Sequence, residues 1–312
     1  MPVNSKATFN PLLTATAGEF VVDEAEYVGT KLFPTFPTAT RAGTYPVWTR
    51  ENLLNVPLIK ERAPGGSYPR LGLELGEEKF ATKDYGLLVS LDKRQQEIYK
   101  NNFDADRGKV QRGVRALMLN KEKRTHALAT NANVPNSSPT VKWDDPAANI
   151  IGDVDVIREA IHDNCGMGPN IAVIPRHVFN YLKENEAILQ KYRHVQGGMV
   201  TSDMIASVLQ VGKIVIAGQV FNSAAQGQAV EISRIWGNSV VLAHVNSAID
   251  IEAPTFARTF AWGGYSGSDS GEISISSYTE EESNSTVHRA LHDVEEVITS
   301  EACGYHLSEV LS

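Results

Sequence analysis

The sequence predicts an α+β fold hung on one long helix. Three observations carry that expectation. Residues 91–131 hold a sustained helical periodicity. The stretches 41–91 and 247–312 on either side of the helical middle alternate apolar and polar residues as strands do. Residues 146–246 switch repeatedly between the two patterns, which predicts an α/β unit.

The helix comes first because the rest is arranged around it. At 100° per residue, Tyr99, Phe103, Val110, Val114, Leu117 and Leu128 fall in one arc. Arg107, Gln111, Arg112, Arg115 and Lys123 lie mostly off it. Asn101-Asn102 breaks the segment, Asp104 or Asp106 can cap its second part, and Asn131 or Pro135 closes it. A helix over 106–129 would be ~36 Å long, a spine for the chain. Gly108 and Gly113 each cost it ~1 kcal/mol relative to alanine, which predicts close packing at both.

Residues 1–40 read as an arm. Phe9, Leu12, Leu13, Phe20 and Leu32 are scattered among small and polar residues, and Pro2, Pro11, Pro34 and Pro37 interrupt any long helix. Only 19–30 could form a short helical piece. Residues 41–91 read as extended chain: Tyr45, Val47 and Thr49 alternate, as do Tyr85, Leu87, Val89 and Leu91. Between them, Lys60-Glu61-Arg62 through Tyr68-Pro69 is polar and too poor in apolar residues to build a core. A loop this long inside a compact domain is functional or disordered. Two strands reaching out to dock on a neighbour would explain it.

Past the spine, Trp143-Asp144-Asp145-Pro146 reads as a helix start, with Ile150, Val154, Ile157 and Ile161 following at helical spacing. Ile171–Ile174 is a buried strand, Pro175 opens a helix with Val178, Phe179 and Leu182, and Ile188 and Tyr192 belong to another. Thr201 caps a helix holding Met204, Ile205 and Leu209, and 211–220 is a strand. Residues 230–235 and 240–245 read as a hairpin across Gly237-Asn238. In the tail, Phe256, Arg258, Phe260 and Trp262 share one strand face, and Ile273, Ile275, Tyr278, 287–297 and Gly304–Leu307 continue the strands. Glu280-Glu281-Glu282 reads as a solvated charge run.

Composition narrows the function classes. The 312 residues are 42% hydrophobic and 21% charged, as in a soluble globular protein of one large domain or two. No apolar run approaches the ~20 residues that span a bilayer, and Met1–Ala17 lacks the pattern of a signal peptide. The chain is therefore expected to stay where it is made, with no membrane partner. Cys165 and Cys303 could pair, but read as free thiols in that setting, and the sequons at Asn136 and Asn284 carry no meaning without secretion. A net charge of −8 argues against a nucleic-acid binder that works through a basic surface.

The catalytic motifs fail on inspection. Gly212-Lys213 resembles the end of a phosphate loop, but Ser207 stands where its first glycine belongs and Ile214 follows the lysine. Gly264-Tyr265-Ser266-Gly267 ends in Ser268 in place of the last glycine of a nucleophile elbow. His288 and His292 have metal-binding spacing for a helix, but the β-branched segment reads as a strand, and a surface pair is the expectation. The 267–271 run offers only Asp269 to a calcium ion. The expectation is no catalytic residue, no cofactor and no metal.

Several stretches together carry a resemblance. Lys31-Leu32-Phe33-Pro34, Trp143-Asp144-Asp145-Pro146, Gly168-Pro169-Asn170, Val178–Leu182, Ile235-Trp236-Gly237, Thr259-Phe260-Ala261-Trp262 and Ala302-Cys303-Gly304-Tyr305 occur in the order found in one family. From about Glu19 to Leu307 the chain resembles the major capsid proteins of tailed bacteriophages with the Hong Kong phage capsid fold. That resemblance implies an N-terminal arm (1–40), an extended β-loop (41–91), a peripheral domain with the spine helix (92–145 and 247–312) and an axial domain (146–246).

It also implies a non-enzymatic shell protein, assembled in the host cytoplasm into hexamers and pentamers of a virion. Its partners would be itself, a portal, scaffolding or decoration proteins, and packaged double-stranded DNA held without sequence-specific binding. The acidic balance suits a wall that must not trap DNA. No long charged helical stretch precedes residue 40, which implies a separate scaffold or none. Lys60 stands where some members form a lysine–asparagine cross-link, although solvation accounts for a loop lysine equally well. Phe9, Leu12 and Leu13 of the arm and Lys60, Glu61, Arg62 and Tyr68 of the loop are the expected inter-subunit contacts. The rivals are an encapsulin-type nanocompartment shell and an oligomeric α/β enzyme with its site in 146–246.

Overall fold

A computed structural model describes residues 8–9, 13–14, 27–54, 61, 76–99, 105–192, 201–225, 227–248, 250–264 and 273–312. The strands in chain order are β1 (Thr8–Phe9), β2 (Thr35–Thr38), β3 (Ala42–Val47), β4 (Gly76–Ala81), β5 (Lys83–Asp92), β6 (Asn136–Ser137), β7 (Ile171–Pro175) and β8 (Lys213–Ala217). They continue with β9 (Val220–Asn222), β10 (Ile232–Arg234), β11 (Val240–Ala243), β12 (Ala257–Trp262), β13 (Ser274–Glu280), β14 (Ser285–Ile298) and β15 (Gly304–Leu307).

The predicted spine is present as a helix from Ala105 to Ala129. It lies across a six-stranded sheet ordered β1-β13-β14-β12-β2, with β5 also on β14. β14 organises this sheet: residues 285–294 pair with β5, 285–291 with β13, and 294–298 with β12. Val110, Val114, Leu117 and Met118 of the helix pack with Ile273, Ile275 and Ala290. Gly113 shows why the helix tolerates a glycine, since a Cβ there would stand 3.1 Å from Val89 Cγ2. Gly108 corrects the expectation of close packing, because a Cβ there would meet nothing within 4 Å.

The same interface carries a polar seam. Arg124 donates to both oxygens of Glu296, at 3.0 and 2.7 Å, and His288 pairs with Asp106 at 2.8 Å. The His288/His292 segment is a strand, as expected, but the pair is buried instead of lying on the surface. Strand alternation turns 288, 290, 292, 294 and 296 inward together. Burial, then the Lys121 and Arg124 cations, hold the His292 pKa well below the ordinary histidine value. His126, edge-on to Trp236, is pushed down to about 4 by burial and then by His306.

A second sheet, ordered β6-β15-β11-β7-β8, supports the largest core. The helix Ile150–Cys165 buries Ile150, Val154, Ile157, Ile161 and Cys165, as its spacing predicts. It starts later than expected. Asn149 caps it by accepting from Gly152 N, while 143–146 forms turns tied down by Trp143 N donating to Val310 O. The helices Arg176–Glu184, Glu186–Tyr192 and Ser202–Val208 follow, the last capped by Thr201 as expected.

The predicted hairpin across Gly237-Asn238 is absent. β10 pairs with β9, whereas β11 lies between β15 and β7. Burial decides this: all four residues of β11 are buried and suit the middle of a sheet, while β10 is largely exposed. For the same reason the predicted strand 211–220 divides, β8 joining the second sheet and β9 pairing with β10. β12 is also buried on both faces, between β14 and β2. Its buried Arg258 donates to the carbonyls of Ala248, Asp250 and Ala253.

The extended segment forms an antiparallel ribbon, β3 with β4. Phe80 stacks on Phe260 of β12 with ring centroids 4.3 Å apart, and Tyr45 packs on the same ring. The base of the ribbon is thus fixed to the six-stranded sheet, and most of β4 is exposed.

Leu117→Ala should destabilise the fold by about 2–5 kcal/mol in chemical denaturation, and wild-type stability would put that face outside the core. A pH dependence follows from the histidines. His126, His292 and His306 all have lowered pKa values, so the fold keeps them neutral where the unfolded chain takes up protons. Their contribution is present above about pH 6.5 and is lost as pH falls toward the folded values, at up to ~1.4 kcal/mol per pH unit for each. The stability difference between wild type and His126→Gln should therefore shift against wild type from about pH 6.5 to 4. A difference independent of pH would contradict the burial assigned to that ring.

Candidate functional site

Continuing the apolar arc of the spine helix from Val114 and Leu117 by helical spacing leads to Lys121 and Thr125, with Glu122 beside them. All three are buried, Glu122 to 1% exposure. Its carboxylate accepts hydrogen bonds from Val28 N at 3.2 Å, Gly29 N at 2.8 Å and Trp236 Nε1 at 2.6 Å. These donors come from the end of the arm and from the turn before β11. One carboxylate therefore joins the arm, the spine and the second sheet.

The local sequence makes room for this junction. The amides of Val28 and Gly29 stand at the start of the short helix Gly29–Leu32, where they have no partner within the helix and a negative charge is favoured. A Cβ on Gly29 would stand 2.7 Å from Thr125 Oγ1 and 2.9 Å from Glu122 Oε2, so only glycine lets the arm approach so closely. Burial pushes the Glu122 pKa up, while the bonds from Trp236, Gly29 and Val28 and the neighbouring Lys121 pull the other way. Burial lowers the Lys121 pKa, partly offset by Glu296.

The sequence search for sites passed over Glu122 and Lys121. Their signal was available: two charges on or beside a continuous apolar arc, in a helix with ample exposed positions.

Of the expected contact residues, Phe9 lies in β1 and pairs with Ser276 of β13. Leu13 is half-buried against the helix–sheet core, and Thr14 Oγ1 accepts from Ile275 N at 3.0 Å. These arm residues thus touch the chain's own sheet. Glu61 is exposed, and Leu12, Lys60, Arg62 and Tyr68 lie outside the described residues.

Lys213 of the rejected phosphate-loop reading begins β8 and lines a cavity of about 460 Å³ with Lys31, Arg176 and Lys183. Burial and then Lys213 lower the Lys31 pKa. Glu280–Glu282 is exposed at the β13–β14 turn, as a solvated run should be. Among the described residues no helix is long and apolar enough to cross a membrane, and no group of three or more His, Cys, Asp or Glu is placed to hold a metal.

No family model matches the chain. The major capsid protein of Burkholderia phage BcepMu is 26% identical over 244 residues, 76% of each chain. A phage-related protein from Bordetella bronchiseptica superimposes with a TM-score of 0.73 at 19% identity, covering 98% of this chain and 99% of that one. The virus-like particle protein of Pyrococcus furiosus gives 0.58 at 10% identity over 95% and 98% of the two chains. The capsid structure of cyanophage P-SCSP1u gives 0.55 at 11% identity over 88% and 86%. Kinship in sequence and likeness in structure agree: the chain has the Hong Kong phage capsid fold and is related to phage major capsid proteins.

Proposed function

We propose that this chain is the major capsid protein of a phage, assembling as hexamers and pentamers into an icosahedral head shell around double-stranded DNA. The observation that carries the reading is kinship to a major capsid protein over 76% of the chain, combined with a capsid fold that runs almost end to end. In this reading the axial domain at the capsomer centre is 146–246, which holds β7, β8 and β11 of the second sheet with its helices. The peripheral domain is 92–145 and 247–312, which holds the spine helix and β12, β13 and β14 of the six-stranded sheet. The arm (1–40) and the extended β-loop (41–91), whose β5 end stays in the six-stranded sheet, engage neighbouring copies through Phe9, Leu12, Leu13, Lys60, Glu61, Arg62 and Tyr68.

The exposed β4 supports that role for the ribbon, since a two-stranded sheet gains little from its own chain. The role is structural, with no catalysis and no cofactor, and the place is the virion, after assembly in the host cytoplasm. A portal and scaffolding or decoration proteins would be its other partners. The encapsulin reading has the likeness to the Pyrococcus particle behind it, but that likeness is one of fold at 10% identity, and the curated relative is a phage protein.

Electron microscopy of the purified protein should show closed icosahedral shells, and a population of monomers or small closed rings under assembly conditions would contradict the reading. Deleting residues 61–69 should leave circular dichroism unchanged while closed shells are lost. Loss of the fold itself would place the ribbon tip in the core.

A further inference from the structure

The strands β7 and β8 run parallel, with Pro175 opposite Ala217 at their carboxyl ends. The helix Arg176–Glu184 starts directly after β7, and no side chain caps its first turn. Its peptide dipoles aim a partial positive charge at the space beyond the two strand ends. A cavity of about 380 Å³ lies there, lined by Arg176, His177 and Asn180 of the helix, Gln219 after β8, Arg234 of β10 and Trp236. Arg234 reaches this place because β10 pairs with β9 in a register that sets it opposite Val220, next to Gln219.

Two of the lining side chains hold polar atoms that the chain itself does not satisfy. Gln219 is 7% exposed, and its side chain has no hydrogen-bond partner among the described residues. A buried amide left in that state costs stability unless something else meets it. In His177, Nε2 bonds to Asn238 Oδ1 at 2.8 Å, while Nδ1 is buried with no partner. With Nε2 as the donor, Nδ1 of the neutral ring presents a bare lone pair.

Charge identifies what the cavity would take. Arg176 and Arg234 bring two guanidinium groups, and among the described residues no aspartate or glutamate lines it. Arg176 and Asn180 also line the neighbouring cavity of Lys31, Lys183 and Lys213, again without an acid. Glu122, the acid in the field of Lys31, is already bonded to Val28, Gly29 and Trp236. In a chain of net charge −8, cations gathered without acids mark a place for an anion.

We propose that this cavity binds inorganic phosphate, held between the start of the helix Arg176–Glu184, the guanidinium of Arg234 and the side chain of Gln219. A guanidinium fork matches two phosphate oxygens, and the Gln219 amide donates to a third. Phosphate near neutral pH keeps a hydroxyl, which can donate to the bare Nδ1 of His177. Sulfate has the same shape and no such hydrogen, and neither has the diester backbone of DNA. The site lies within one chain and does not depend on how copies assemble.

The test is calorimetric titration of sodium phosphate into the full-length protein, at constant ionic strength in a buffer free of phosphate and sulfate. One phosphate should bind per chain, and sodium sulfate should bind about tenfold more weakly or worse, for want of the hydrogen bond to Nδ1. Arg234→Gln should weaken phosphate binding by about tenfold or more through loss of a charge-assisted pair. Arg234 is exposed, so that variant keeps the fold.

Gln219→Leu should also weaken binding, yet melt in phosphate-free buffer no lower than wild type, because it removes an unpaired buried amide. A purely structural role for Gln219 predicts a lower melting temperature instead. Absence of phosphate binding, equal binding of sulfate, or wild-type affinity in both variants would each overturn the proposal. So would binding of a DNA oligonucleotide without terminal phosphates where free phosphate fails to bind.

Discussion

A carboxylate taken out of water must find donors or stay protonated, and either requirement fixes its surroundings. Glu122 meets the requirement with two amides from the arm and one indole from the turn before β11. No other buried acid in the described residues is bonded to two such distant segments. Removing any of the donors leaves the oxygen short of a partner, and removing the carboxylate leaves three buried N–H groups unpaired. The positions of the arm, the spine and the second sheet are thus coupled through one side chain. Gly29 and Thr125 are the steric complement of that bond network.

The remaining architecture follows from where apolar surface runs out. The spine helix cannot bury its face alone and lies across β14, whose long inward-facing row mixes Ala290 and Val294 with His288, His292 and Glu296. Each polar member of that row faces a charge or partner on the helix: His288 bonds to Asp106, Glu296 to Arg124, and His292 lies within the field of Lys121. The ribbon β3–β4 is backed at its base by Phe80 and Tyr45 on Phe260 and by Ala81 N donating to Glu295, while most of β4 is exposed.

Much of the fold was legible because periodicity reports burial. The arc Val110–Val114–Leu117 identified the spine, and Ile150–Val154–Ile157–Ile161 the next long helix, since both faces are one-sided. Legibility failed where burial was two-sided or where partners were remote. Val240–Ala243 is apolar on both faces, so alternation could not tell a hairpin strand from a central one. Trp143-Asp144-Asp145-Pro146 has capping residues, but Trp143 is held by Val310, far away in sequence. The apolar arc marks Lys121 and Glu122 as buried, but the donors that meet Glu122 lie far from it along the chain, and local sequence cannot name them. The histidine pair was placed outside because hydration is the default for polar residues, although strand parity already put 288 and 292 on the face of Ala290 and Val294.

The most direct test of this coupling is amide hydrogen exchange on Glu122→Gln beside wild type, followed by peptide mass spectrometry. Glutamine keeps the shape but weakens the acceptance from Val28, Gly29 and Trp236. The account predicts faster exchange in residues 27–33 and in the segment around Trp236 together, with β13 and β14 unchanged. Faster exchange in one of those segments alone, or an even rise across the whole chain, would contradict the claim that Glu122 joins them.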